Sequence, residues 1–377
     1  MAATATFTTP NGSQAPSAHS LLRKAASPCA TASYNELAVT SAVCETPSLF
    51  CTVTRQDRTA ITLSYHIRFL FASRAGWRIL TLIYWRFRFL VILAAVTPPI
   101  YLGTSSFTAS GWTGSFYPRR LRPAEQLNFY AQHFRTVEVD STFYACPAEQ
   151  TVRQWADRTP QGFTFSLKIP QAITHEKALV GCEPELAEFL RTVSLLGHKL
   201  GPLVFQFPFF PRTVFEDRHQ FLDRLVPFLK SLPAGYKWAI EIRNRNWLDA
   251  EFVGLLRDQG VALVLQDASR MPNPGDLKFD PVTTEWTYIR WLGDRKAIEE
   301  QTTTWDKTIV DRTAELTRWV DFCYKLLRRG VVTYAYANNH YAGHAPATIE
   351  KFKGIWNARG FPPLDSQSPG ERQATLF

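Results

Sequence analysis

The run WAIEIRNRNW, residues 238–247, decides the reading of this chain. Its first six residues, Trp238 to Arg243, are a short apolar and β-branched run of strand length. Glu241 and Arg243 lie two apart within it, so a strand places both on one face. A charged pair at the end of an otherwise apolar run is unusual for a strand that serves packing alone. Seven further runs have the same texture: 100–107, 136–141, 163–168, 203–208, 262–267, 286–291 and 332–338. Helical patterns separate several of them. Leu127, Tyr130 and Phe134 follow Pro123 at helical spacing, and Leu186, Phe189, Leu190 and Val193 repeat the pattern, with Gly201 as its expected stop. Phe221, Leu222, Leu225, Phe228 and Leu229 form a third stripe that Pro233 ends. A long amphipathic helix is expected from Trp305 to Arg329. Eight strands alternating with helices predict an α/β chain folded as a (β/α)8 TIM-like barrel over residues 100–360.

Barrels of this kind place their chemistry at the C-terminal ends of the strands. Those ends are polar here. Glu138, Lys168, Gln206, Glu241, Arg243, Asp267 and Arg290 fall there, with His175, Asn338, Asn339 and His344 in the segments that follow. Glu138, Lys168, His175, Glu241 and Asp267 are the catalytic candidates. Gln206, Arg243, Arg290, Asn338, Asn339 and His344 are the ligand-binding candidates. Lys168, Arg243 and Arg290 on one mouth make an anion site suited to phosphate or carboxylate. Glu241, Asp267 and His344 are the candidate ligands for a divalent metal, with Glu138 beside them, although no tight metal-binding spacing occurs. For each residue the alternative is structural: Glu138 with Lys168, or Glu241 with Arg243, would form internal ion pairs that fix the barrel. Gly343 is expected to serve backbone geometry. Aromatic residues near the strand ends, Tyr144 and Trp247 among them, pack the core or stack on a ring-shaped ligand.

The chain has 377 residues and a formal net charge of +9. Residues 1–100 carry nine Lys and Arg against three acidic groups. The remainder is therefore only mildly basic, and overall charge is no evidence for nucleic-acid binding. Six cysteines without a C-x-x-C pair read as reduced thiols in a cytoplasmic protein. Residues 1–99 look foreign to the barrel. Residues 1–35 are rich in Ala, Ser and Thr and lack acidic groups, as in a transit peptide. Arg78, Arg86 and Arg88 interrupt the apolar stretch 77–97, which leaves too short a run to cross a membrane. The segment reads as a poorly ordered extension, or as translated upstream sequence, that carries no chemistry.

Several segments, in order, resemble the YecE-like family, catalogued as domain of unknown function number seventy-two. They are GTSSFTASGWTGSFYP (103–118), VEVDSTFY (137–144), FSLKIPQAITHEK (165–177), VFQFP (204–208), AIEIRNRNW (239–247), YIRWLG (288–293) and YAYANNHYAGHAP (334–346). The resemblance spans about residues 101–359 and implies a TIM-like barrel, but assigns no activity. The opening motif carries extra residues between GTS and GW, so that loop is expected to differ.

Residues 361–377 read as a flexible tail ending in QATLF. Gln373, Leu376 and Phe377 resemble the peptide that docks on bacterial sliding clamps, an amide anchor followed by two apolar side chains. Three functions stay open at this level. One is a DNA-associated barrel, a metal-dependent phosphodiesterase or repair accessory brought to DNA by the clamp. The second is an enzyme acting on a small phosphorylated or carboxylated metabolite. The third is a non-catalytic ligand-binding adaptor.

Overall fold

The computed structural model describes residues 99–364, together with the backbone of five strands nearer the N-terminus. The chain divides into two units, 1–95 and 96–377. In the first unit, Ala2–Thr9, Ile61–Arg68 and Ser48–Arg55 form an antiparallel sheet in that order, and Thr31–Ala32 pairs with Leu37–Ala38. The apolar stretch 77–97 and the terminal Gln373, Leu376 and Phe377 lie outside the described residues. Among the described residues, no helix is long and apolar enough to cross a membrane.

The second unit is the barrel. Its strands are β1 (Ile100–Thr104), β2 (Thr136–Val139), β3 (Thr164–Lys168), β4 (Leu200–Gln206), β5 (Trp238–Glu241), β6 (Ala262–Ala268), β7 (Trp286–Gly293) and β8 (Val332–Ala337). They pair in the order β1-β8-β7-β6-β5-β4-β3-β2, and all the pairings are parallel. The eight runs read from the sequence are these strands. Helices α1 (Gln126–His133), α2 (Glu149–Asp157), α3 (Glu183–Val193), α4 (Arg218–Ser231), α5 (Ala250–Asp258), α6 (Arg295–Glu299), α7 (Thr313–Arg328), α8 (Asn339–Ala342) and α9 (Ala345–Ala358) lie between and after them.

A single bridge, Ser105 to Glu138, joins β1 to β2. The Tyr130 hydroxyl fills the rest of that seam. It accepts the Thr104 N–H at 2.9 Å and donates to the Thr136 carbonyl at 3.1 Å. A side chain of the crossover helix thus satisfies backbone groups that a ladder would otherwise pair. Gly103 permits the approach, because a Cβ there would lie 2.2 Å from the Thr136 carbonyl oxygen.

Two details differ from the sequence reading. Gly201 does not stop a helix. It lies inside β4, where a Cβ would lie 2.4 Å from Thr164 of β3, and α3 gives way instead to a 3-10 turn in which Gly197 has φ 57°. The long helix starts at Thr313 rather than Trp305. Residues 305–312 are held in a loop, with the Trp305 N–H on the Ser110 carbonyl and the Ile309 N–H on that of Ala342. The expected role of Gly343 holds. Its φ is 104°, and a Cβ would lie 2.7 Å from the Lys307 carbonyl oxygen of that same loop.

Alternate residues of each strand face opposite ways. Phe165, Phe205, Ile240, Leu265 and Ile289 point outward into the main core under the helices. Val204, Ala239, Val264, Trp286, Tyr288, Tyr334 and Tyr336 fill the barrel interior as a separate cluster. Continuing that inward parity toward the strand ends reaches Glu138, Lys168, Gln206, Glu241, Gln266 and Arg290, all of them buried. The polar layer therefore caps an apolar barrel and forms the floor of its mouth.

Candidate functional site: the polar mouth of the barrel

Arg290 stands at the centre of this layer with a side chain only 3% exposed. Its Nη2 donates to Glu138 Oε1 at 2.8 Å. Its Nη1 donates to Glu241 Oε2 and, at 3.1 Å, to Gln206 Oε1. The Tyr288 hydroxyl donates to Glu138 Oε2 at 2.7 Å. Below it, the Tyr336 hydroxyl meets Thr136 Oγ1 at 2.7 Å and Ser166 Oγ at 2.6 Å. Two fully buried carboxylates thus share one guanidinium, and such charges are tolerated only when paired this closely. Burial raises the Glu241 carboxyl, but the Arg290 and Arg243 guanidiniums outweigh it and hold the group at about 2. Arg290 is correspondingly held above its ordinary value by the same carboxylates, against the opposing effect of burial.

Arg243 lies just past the end of β5, and its side chain is 44% exposed. Its Nε and Nη2 each reach Glu241 Oε1 at 3.1 Å. The Glu241–Arg243 ion pair considered from the sequence is therefore present. Glu138 pairs with Arg290 rather than with Lys168.

Lys168 is different. It is 8% exposed, and its Nζ lies 4.3 Å from the centroid of the Phe143 ring. Among the described residues its ammonium makes no hydrogen bond and no ion pair. Burial and the Arg290 charge lower its ammonium to about 8, although Glu138, Glu241 and Asp140 act the other way. His175 packs edge-on against the same Phe143 ring, with centroids 4.9 Å apart, and its Nδ1 is 2.8 Å from Thr174 Oγ1. Burial, Lys168 and Arg243 bring it down to about 4, so it is neutral at ordinary pH. The segment that carries it, Ala172–Glu176, is a π-turn, and Ala178 and Leu179 beyond it have positive φ. Such turns and strained residues concentrate at functional sites. Asp140 joins the group from just past the end of β2. Burial and then Glu138 raise its carboxyl, opposed by Lys168 and Arg290.

The structure thus brings together Glu138, Lys168, His175, Gln206, Glu241, Arg243 and Arg290. The other candidates are engaged elsewhere. Asp267 faces outward, the parity opposite to Gln266, and accepts the Trp319 indole N–H at 2.7 Å and the Tyr341 hydroxyl at 2.9 Å. His344 caps α9, its Nε2 3.4 Å from Ser115 Oγ and its ring edge-on to Trp112. The Asn338 side chain accepts the His340 N–H at 2.9 Å, and Asn339 accepts from Trp112 Nε1 and the Ala345 N–H. The expected metal set of Glu241, Asp267 and His344 is therefore corrected. Strand alternation sends Asp267 away from Glu241, and Arg290 and Arg243 occupy the Glu241 carboxylate. Among the described residues, no three His, Cys, Asp or Glu side chains are grouped to hold a metal ion.

Sequence reasoning missed Gln266, whose amide donates to the Ile242 carbonyl at 2.6 Å, and the hydroxyls of Tyr288 and Tyr336. Parity was the available signal: Gln266 pairs in register with Arg290, so the two share a face. Of the aromatic residues near the strand ends, Trp112, Trp247, Trp291 and Tyr341 are buried, whereas Tyr144 is 72% exposed.

The family profile described as "Protein of unknown function DUF72" matches residues 101–373. The UPF0759 protein YecE of Escherichia coli K12 is 33% identical over 147 residues, which are 38% of this chain and 48% of that protein. The UPF0759 protein YunF of Bacillus subtilis is 29% identical over 159 residues, 41% and 54% of the respective chains. The chain thus spans about half the length of these curated relatives. The crystal structure of a DUF72 family protein from Thermotoga maritima is similar at 27% identity and a TM-score of 0.54, covering 69% of this chain and 98% of that one. A DUF72 family protein from Enterococcus faecalis, at 22% identity and a TM-score of 0.51 over 69% and 98% of the two chains, shares the fold.

Proposed function

The chain belongs to the DUF72 family, and from the mouth of its barrel we propose that the protein binds a small metabolite bearing a carboxylate or phosphate and acts on it by proton transfer. One observation carries this reading: Lys168, buried at the mouth without a carboxylate in ion-pair reach among the described residues, and the half-exposed guanidinium of Arg243 both lie near enough to His175 to lower its imidazole. An uncompensated buried ammonium costs stability, and an arriving anion supplies the missing counter-charge. Arg290 does not serve in this way, because Glu138 and Glu241 already neutralise it. Its role is to fix the floor. His175, neutral at ordinary pH, and the raised carboxyl of Asp140 are the groups poised to move protons.

A metal-dependent phosphodiesterase is less well supported, since its expected ligands do not converge. The barrel segment's small net charge also offers little for a phosphate backbone. Recruitment to a sliding clamp through Gln373, Leu376 and Phe377 rests on sequence alone and is independent of the mouth. Loss of clamp binding on removal of the last five residues tests it separately.

Calorimetric titration with inorganic phosphate and with glycolate tests the principal reading. Binding that weakens roughly tenfold or more in Arg243→Ala, about 1.4 kcal/mol, supports it. Binding by neither anion, or binding indifferent to Arg243, sinks it. Binding without turnover on any carbonyl or phosphoryl substrate would leave an adaptor.

A further inference from the structure

We propose that Lys168 is a nucleophile that forms an imine with an aldehyde or ketone whose anionic group rests on Arg243. This deepens the anion-site reading and rests on it. The argument begins with two buried lysines. Lys199 is 7% exposed and Lys168 is 8% exposed. The Lys199 ammonium is bonded to the carbonyls of Ala156 and Thr159 and to Thr159 Oγ1, which accounts for its burial structurally. Among the described residues, the Lys168 ammonium has only the face of Phe143. A cation–π contact offers a cation part of what water would, and gives a neutral amine no hydrogen bond to hold its lone pair. The ammonium thus keeps a small exposure to the mouth and has no hydrogen-bond partner among the described residues, at the C-terminal end of a barrel strand, where a reacting group is placed in this fold. Burial favours the neutral, nucleophilic amine, and Lys168 is brought down to about 8.

The surroundings suit the chemistry. Attack of the amine lone pair on the carbonyl carbon forms a C–N bond and puts the carbonyl π electrons on oxygen. The oxygen takes up two protons, those the amine nitrogen gives up, and leaves as water, so one carbonyl and one amine give one imine and one water. His175 shares the Phe143 ring with Lys168 and is neutral, so it can relay those protons. Glu138, Glu241 and Asp140 also face Lys168 electrostatically. The first two are bound to Arg290, which leaves Asp140, with its raised carboxyl, as the second proton carrier. Arg243 gives selectivity for a substrate carrying a carboxylate or phosphate.

The full-length protein is treated with glyoxylate or, in parallel, acetaldehyde, then reduced with borohydride and mapped by peptide mass. The expected result is a glyoxylate adduct on Lys168 formed roughly tenfold or more faster than on exposed Lys296, with Lys199 unlabelled. Arg243→Ala should remove the preference for glyoxylate over acetaldehyde, and Lys168→Arg, checked for folding by circular dichroism, should abolish the adduct. Equal labelling of exposed lysines, or an unlabelled Lys168, overturns the proposal. Titration with inorganic phosphate on the same sample separates the two readings. Anion binding without an adduct removes the imine and keeps the anion site, whereas loss of both removes both.

Discussion

Arg290 and Glu138 meet at 2.8 Å inside the barrel although they stand on β7 and β2, three strands apart around the ring and 152 residues apart in the chain. With Glu241 on β5 as the other partner, one guanidinium ties together strands from three parts of the circle. Removing it would leave buried Glu138 without a counter-charge and buried Glu241 with Arg243 alone. Arg290→Leu is expected to cost roughly 3–5 kcal/mol, read as a lower urea midpoint at pH 7. Adding Glu138→Gln and Glu241→Gln should restore much of the loss, because the amides carry no charge to compensate. A loss under about 1 kcal/mol for the single variant would show that the network does not organise the barrel.

The same network sets the acid limb of stability. The Glu241 carboxyl sits at about 2 in the fold against an ordinary 4.5, so the unfolded chain takes up its proton first. Its contribution is complete above about 4.5 and declines as the pH falls toward 2. His175 acts over a higher window. Its folded value of about 4 lies below the ordinary 6.5, so stability is again lost as the pH falls, here from 6.5 to 4. Urea midpoints collected from pH 8 down to 3 should fall in two stages, and His175→Gln should make the upper one shallower, since burial also holds His340 and His344 below their ordinary value. A profile in His175→Gln that declines between 6.5 and 4 as steeply as the parent's would assign that stage to other groups.

Strand parity explains both what could be read from the sequence and what could not. Each strand shows itself by a local apolar run, and the inward position of Glu241 follows from its two-residue separation from Arg243. Which face of β6 turns inward cannot be read from ALVLQD alone, since Leu263 and Leu265 on one face and Ala262 and Val264 on the other are all apolar. Asp267 is the more chemically suggestive residue, yet it faces outward onto Trp319 and Tyr341. Partnership is also invisible locally. Lys168 and Arg290 look alike as cations at strand ends, and only the closed ring shows that two carboxylates hold Arg290 while none holds Lys168.

Closure of that ring depends on Tyr130. Its hydroxyl bonds to Thr104 N–H and Thr136 C=O across the β1–β2 seam, and Thr104 Oγ1 lies 2.8 Å from it as well. Tyr130→Phe keeps the buried ring but leaves a buried amide and carbonyl without this partner. The cost should be about 1–3 kcal/mol. The Thr104 amide should lose hydrogen-exchange protection ahead of amides in β5 and β6. Unchanged protection at Thr104 would mean that the two strands pair directly in solution.

Lys168 should be a residue whose removal stabilises the protein. Its ammonium is buried without a carboxylate partner, and its fall to about 8 from an ordinary 10.5 means that the fold disfavours the charged form. That penalty is present in full below about pH 8 and fades as the pH rises toward 10.5, where the unfolded chain also loses the proton. Met, of similar length and without charge, removes the penalty while filling the space against Phe143. Lys168→Met is therefore expected to gain roughly 1–3 kcal/mol at pH 7, with the advantage shrinking from pH 8 to 10.5, while anion binding at the mouth is lost. Groups kept for chemistry at the expense of stability behave in this way. A variant less stable than the parent at pH 7 would show that the ammonium holds the mouth together, and the case for Lys168 as an anion-binding group would fail with it.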